Sequence, residues 1–250
     1  MKKSLIKHSL LLLGGVAFLI AVWITAYFCV GNPLLVPSFG ETVKQFFLLW
    51  IGGAFWVALG VTLLRVVVAF VLSFVLAVVT SVLSYLYPSF RAFFAPVLAV
   101  LRSMPVLAVL LVILVWTNGG VAPVIVAFLS LYPILYTQTL TAICGVDDKL
   151  LQMSKAYRVP RSMQITKLYI PSVAPALIKA CGSALGFGVK LIVSAEVLAR
   201  SKHSLGVLMQ DARGFDLPQL FALVIVACVL GFALECLFTY LATRMQRGTK

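Results

Sequence analysis

WVALGVTLLRVVVAFVLSFVLAVVTSVLSY, residues 56–85, decides what kind of molecule this is. It carries one charged side chain, Arg65, and is longer than the about 20 residues a helix needs to cross hydrocarbon. A backbone in lipid must satisfy its own hydrogen bonds, so this run is a membrane helix. Five more apolar runs flank it: Ser9–Val30, Phe93–Trp116, Val121–Cys144, Ser172–Leu198 and Pro218–Thr243. The 250-residue chain is 62% hydrophobic and 11% charged, with mean hydropathy +1.11. Soluble domains run at about 45–50% and about 25%. These values exclude a water-soluble domain, a disordered chain and a nucleic-acid binder on a polar scaffold. The expectation is an all-α membrane protein, one domain over residues 1–250, with about six transmembrane helices.

The first run is too long for the core of a cleaved signal peptide and ends in Trp23, Tyr27 and Phe28, so it reads as a retained helix. Pro33 and Pro37 then break the chain. Residues 42–54 place Val43, Phe46, Phe47, Trp50 and Ile51 at helical spacing, as in a helix lying in the membrane interface. Pro88 stops the second span. Pro105 lies inside the third and should kink it. Thr117–Gly120 is a tight reversal. With 20 Lys and Arg against 7 Asp and Glu, charge fixes orientation. Twelve basic residues fall on one side: Lys2, Lys3, Lys7, Arg91, Lys149, Lys155, Arg158, Arg161, Lys167, Arg244, Arg247 and Lys250. Only Lys44, Arg200, Lys202 and Arg213 fall on the other. Both termini are therefore expected in the cytoplasm, and this excess of cations suits a surface of anionic lipid.

The polar stretch 145–171, between the fourth and fifth spans, holds more structure than a connector needs. Asp147 or Asp148 can cap a helix that ends near the cations Lys155 and Arg158. Leu150, Ser154 and Tyr157 share one side of it, flanked by Leu151. Pro160 can open a second short helix carrying Met163, Ile165, Leu168 and Tyr169 towards Pro171.

Here the chain resembles the permease subunits of ATP-binding-cassette importers, in their nitrate, sulfonate and taurine branch. Val146-Asp147-Asp148, Leu150-Leu151-Gln152-Met153-Ser154 and Tyr169-Ile170-Pro171-Ser172-Val173-Ala174-Pro175 are similar to the EAA motif of that family. Leu35-Val36-Pro37-Ser38 resembles its Leu-Pro-Ser-Pro entry. Leu101-Arg102-Ser103-Met104-Pro105 resembles its Leu-Arg-Ser-Ile-Pro. Leu205-Gly206-Val207-Leu208 resembles the Gly-rich run before its last span. The likeness spans nearly the whole chain. Gln152, Met153 and Ser154 depart from Glu-Ala-Ala, and Arg158 stands where a turn-making Gly is usual. An Arg there avoids a left-handed conformation or bears its cost, and Val159-Pro160 can set the turn instead.

The resemblance implies a type I importer fold and two short cytoplasmic coupling helices. It implies docking of a separate cytoplasmic ATPase on Asp147, Asp148, Leu150, Leu151, Gln152, Ser154, Lys155, Tyr157, Arg158, Pro160 and Arg161. It also implies an extracytoplasmic solute-binding protein and a second copy of the chain, a homodimer in a bacterial inner membrane. ATP and Mg belong to the ATPase. This chain has no Gly-rich loop ending in Gly-Lys-Ser/Thr and so no P-loop. No metal site or covalent chemistry is expected, and the five cysteines (Cys29, Cys144, Cys181, Cys228, Cys236) have no ligand spacing.

A cation at mid-span costs roughly 2.5–3.5 kcal/mol against lipid and should face protein or water. Lys190 continues the row Gly182, Gly186 of a close helix contact, so it should point into the bundle or at a second subunit. Arg65 sits on a stripe of small and polar residues, and Arg102 lies near the inner end. These three line or gate the path of an anionic solute, or are ion-paired or reach an interface, with Glu196 and Glu235 as candidate partners. Pro105 is a candidate hinge. Two rivals are a secondary carrier or channel driven by an ion gradient, and a membrane enzyme acting on lipid. The first needs coupling acids within the spans. The second needs a convergent polar cluster at one interface, which the sequence lacks.

Overall fold

The computed structural model describes residues 2–32 and 35–248, with side chains described for 14–32 and 35–245. Pro33 and Lys250, and the side chains of Lys2, Lys3, Lys7 and Arg247, lie outside these residues. The elements are α1 (Lys2–Val30), α2 (Phe39–Leu49), α3 (Gly53–Leu86), α4 (Pro88–Ser103), α5 (Val106–Trp116) and α6 (Ala122–Cys144). They continue with α7 (Asp148–Ala156), α8 (Arg161–Gln164), a π turn (Ile165–Tyr169), α9 (Ile170–Ala199), α10 (Leu205–Phe215) and α11 (Leu217–Gly248). Among the described residues, α3, α6, the continuous segment Arg161–Ala199 and α11 are long and apolar enough to cross a membrane. The pair α4–α5 makes a fifth, broken span, and the described apolar part of α1, Gly14–Val30, is shorter. All six expected runs thus fall on helices.

The packing follows the logic of lipid, where burial of apolar surface does not drive helices together and small side chains with shared hydrogen bonds do. One stripe of α3 buries Ala58, Thr62, Ala69, Ser73, Ala77, Ser81 and Ser84, while Leu64, Leu72 and Val75 point outward. The stripe packs on α6. Tyr132 Oη donates to Thr80 Oγ1 at 3.0 Å, Tyr136 Oη to Ser84 Oγ at 2.7 Å, and Ser81 Oγ to the Tyr136 carbonyl at 3.0 Å. Pairs one turn apart on both helices rise together, so α3 and α6 run parallel. The broken span α4–α5 returns the chain between them. Contacts of Gly188 with Leu131 and of Gly119 with Ala199 show that α9 runs antiparallel to α6, and those of Gly182 with Phe238 and of Gly186 with Gly231 that it runs antiparallel to α11.

Four expectations change. The third span is not one kinked helix: α4 and α5 meet at 95°. Met104 is extended (ψ 125°), as a residue before proline prefers, and Pro105 follows at ψ 109°, so two consecutive residues leave the helix. Pro88 opens α4 as well as closing α3. The helix expected over 42–54 covers 39–49 instead, because Ser38 caps it by accepting from the Glu41 amide at 3.2 Å and Gly52 already caps α3. The second short helix does not stop at Pro171. The Ile170 amide bonds five residues back to Ile165, and this wider turn gives the proline ring room, so the helix runs on into α9.

Candidate functional site

α7 and α8 form a hairpin at one end of the bundle. Asp147 caps α7 by accepting from the Lys149 amide at 2.8 Å, with Asp148 in the first turn and Lys155 in the last. The helix closes with the Arg158 amide on the Lys155 carbonyl and the Val159 amide on the Ser154 carbonyl, at 3.0 and 2.9 Å. That pattern demands a left-handed residue, and Arg158 supplies it at φ +50°. The arginine therefore bears the cost; Val159-Pro160 does not take over the turn. Pro160 is the N-cap of α8, and Arg161 is its first residue. No residue of α7 or α8 is buried. Leu150, Gln152, Met153, Lys155, Tyr157 and Arg161 are exposed, Leu151 is half-buried, and the half-buried Ser154 bonds to the Leu151 carbonyl.

The in-span cations separate into two groups. Arg65 Nη1 donates to Glu196 Oε1 at 2.6 Å, and the Glu196 side chain is fully buried. Thr62 Oγ1 donates to Glu196 Oε2 at 2.9 Å, the Gly206 amide reaches the same oxygen at 3.4 Å, and the Leu205 amide donates to Thr62 Oγ1 at 3.1 Å. Arg65 thus clamps α3 to α9 and to the start of α10, at the end opposite the hairpin. Ser204 caps α10, and Ser201 bonds to the Gly119 carbonyl in the α5–α6 turn.

Lys190 and Arg102 form the second group. Lys190 is exposed, not turned into this chain's bundle. The row Gly182, Gly186 instead faces α11: a Cβ at Gly182 would lie 2.7 Å from Phe238 Cβ, and one at Gly186 would lie 3.0 Å from the Gly231 carbonyl oxygen. Lys190 emerges beyond that contact, one turn after the exposed Phe187. Phe187, Arg102, Met104 and Pro133 line a cavity of about 180 Å³ inside the α4–α5 elbow. Arg102 donates to Thr137 Oγ1. It also borders a second cleft, of about 590 Å³, that leads between α4 and α6 towards Arg91 and Gly145 at the hairpin end. Pro105 sits at the elbow's break. Glu235 accepts from Ser183, and no cation pairs with it among the described residues.

Residues 69–247 match the family described as binding-protein-dependent transport system inner membrane component. The chain belongs to this family. It is an importer permease subunit, integral to the inner membrane and not an enzyme, of the kind that works with an ATPase and a solute-binding protein. A Bacillus subtilis (strain 168) protein named as an aliphatic sulfonates transport permease is 26% identical over 218 residues, covering 86% of this chain and 79% of its own. The taurine transport system permease protein of Escherichia coli (strain K12) is 23% identical over 233 residues, covering 89% and 84%. Two solved structures share the fold. An amino acid ABC transporter has TM-score 0.60 at 17% identity, over 84% of this chain and 98% of that one. An inward-facing methionine ABC transporter has TM-score 0.58 at 17% identity, over 76% and 93%.

The permease's clamp was only half visible in its sequence. Glu196 and Arg65 stand out as charges in apolar runs, but nothing local pairs residues 131 positions apart. Gly206 carried a signal: a Cβ there would fall on Glu196, so the close approach of α10 to α9 needs glycine.

Proposed function

We propose that two copies of this permease enclose a path for a small anionic solute of the sulfonate kind, and that the α7–α8 hairpin takes the stroke of the ATPase. The observation that carries this is mechanical. α7 stands clear of the bundle, exposing Leu150, Met153 and Tyr157. From Arg161 the helix runs unbroken to Ala199, so a push on the hairpin moves the helix that carries Lys190. Hairpin closure on ATP then switches the path between inward and outward access, with the α4–α5 elbow at Pro105 as the part that yields.

One chain offers only one wall of such a path, and a two-fold related copy supplies the other. Arg102 and Lys190 lie open on this chain, and facing lipid they would each cost roughly 2.5–3.5 kcal/mol. A water-filled path between copies removes that cost and attracts anions. Two of the relatives aligned over most of their length are named for aliphatic sulfonates and for taurine, itself a sulfonate. Arg91, Lys149, Lys155, Arg158, Arg161, Lys167 and Arg244 crowd the hairpin end, which faces the cytoplasm with both termini. The opposite end, with α10 and the start of α2, receives the solute-binding protein.

The test is a photoreactive phenylalanine at position 157 in membranes that also contain the ATPase. Irradiation should give an adduct between permease and ATPase. Adducts confined to lipid or to a periplasmic protein refute the docking and the orientation together.

A further inference from the structure

Near the hairpin, α3 and α9 both rest on α6 and leave a groove of about 590 Å³ between them. Val78 and Val82 of α3 form one wall, and Ile170, Val173 and Leu177 the other. The mouth holds Arg161 and a pair of tyrosines, Tyr85 and Tyr169, whose hydroxyls are 2.8 Å apart. Two polar groups remain unanswered. Thr139, on the floor, is 2% exposed and its hydroxyl has no partner among the described residues. Its neighbours on α6, Ser130 and Thr137, bond to the carbonyl four residues back, so this hydroxyl has given up the usual bond. The exposed Arg161 guanidinium has no hydrogen bond or carboxylate partner among the described residues.

We propose that this groove holds an anionic phospholipid, its phosphate on Arg161 and one acyl chain between α3 and α9. The walls suit a hydrocarbon chain and would repel the small polar cargo of an importer. The cationic mouth suits an anionic head. The Thr139 hydroxyl, unpartnered on the groove floor, turns to donate to an ester carbonyl oxygen of the bound lipid. The π-turn residues Ile165 and Tyr169 also border the groove. The lipid thus props the joint through which the hairpin moves α9. The lipid shares only Arg161 with the residues expected to dock the ATPase, and Thr139, on α6, belongs to none of them, so Thr139→Val lets the two readings fail separately.

The experiment takes the assembled importer from nanodiscs of equal parts phosphatidylglycerol and phosphatidylcholine and weighs it by native mass spectrometry. The native complex should keep phosphatidylglycerol in preference to phosphatidylcholine. Arg161→Gln should lower that preference about tenfold, the loss of one charge-assisted contact worth about 1.4 kcal/mol. Ala174→Trp, which fills the groove, should remove both lipids, and Thr139→Val should weaken retention severalfold. Arg244→Gln, a cation at the same end but outside the groove, should change nothing. Each variant is scored only as a monodisperse complex with its ATPase bound. Should Ala174→Trp not assemble, Arg161→Gln and Thr139→Val still decide. Equal retention of the two lipids by the native complex, retention of neither, or native-like retention in both Arg161→Gln and Thr139→Val overturns the proposal.

Discussion

Replacing Glu196 by alanine strands Arg65 inside the bundle. The Glu196 side chain is fully buried, and that of Arg65 is 13% exposed. Removing one member of a buried ion pair costs about 3–5 kcal/mol. Arg65 sits near one end of its span, so its long side chain recovers part of this by reaching towards the interface. The bonds from Thr62 and the Gly206 amide disappear too, at about 0.6 kcal/mol each within a membrane bundle. A net loss of about 3 kcal/mol lowers the melting temperature by roughly 6–12 °C for a chain of this size. Glu196→Gln keeps partners for Thr62 and Gly206 and should lose less. The decisive arm is the pair Arg65→Met with Glu196→Leu. An apolar pair in place of a buried ion pair is close to neutral. The double variant should therefore be more stable than Glu196→Leu alone, with a coupling energy of about 2–3 kcal/mol in the cycle. The assay is thermal unfolding of the purified importer followed by tryptophan fluorescence. Strict additivity of the two single losses refutes the clamp as the tie between α3, α9 and α10.

Lys190→Met should abolish solute uptake in reconstituted vesicles while the complex still elutes intact; unimpaired uptake removes Lys190 from the path. Gly186→Leu should separate α9 from α11, because its Cβ meets the Gly231 carbonyl oxygen at 3.0 Å and neither backbone can withdraw. The measurement is the amount of intact protein in the membrane, and native-like amounts contradict the packing. Arg158→Gly should relieve a left-handed residue by about 1 kcal/mol and raise amide-exchange protection in α7 about fivefold. Unchanged protection means that the turn is not strained.

The helices were legible because each is a long apolar run, and the α7 hairpin because its caps are local: Asp147 at the start, Lys155 near the end, Pro160 after it. The α4–α5 elbow was harder. One proline in a membrane helix normally gives a kink, and the 95° break follows from Met104 leaving the helix as well. The passage of α9 through Pro171 depends on a π turn, which no residue type announces. Side-chain direction was the least legible. Gly182, Gly186 and Lys190 form one row on paper, yet a helix of 3.6 residues per turn drifts about 40° at each step of four. The glycines therefore meet α11 while Lys190 emerges at the surface. The tie between Arg65 and Glu196 spans 131 positions and required the fold itself.

In the proposed mechanism the hairpin carries the motor's motion into α9. Spin labels at position 153 of the two proposed copies report it directly once the five native cysteines are replaced. The distance between the two labels should shorten when the ATPase is trapped with ATP and lengthen again after hydrolysis. An unchanged distance across a cycle that still transports solute would contradict it.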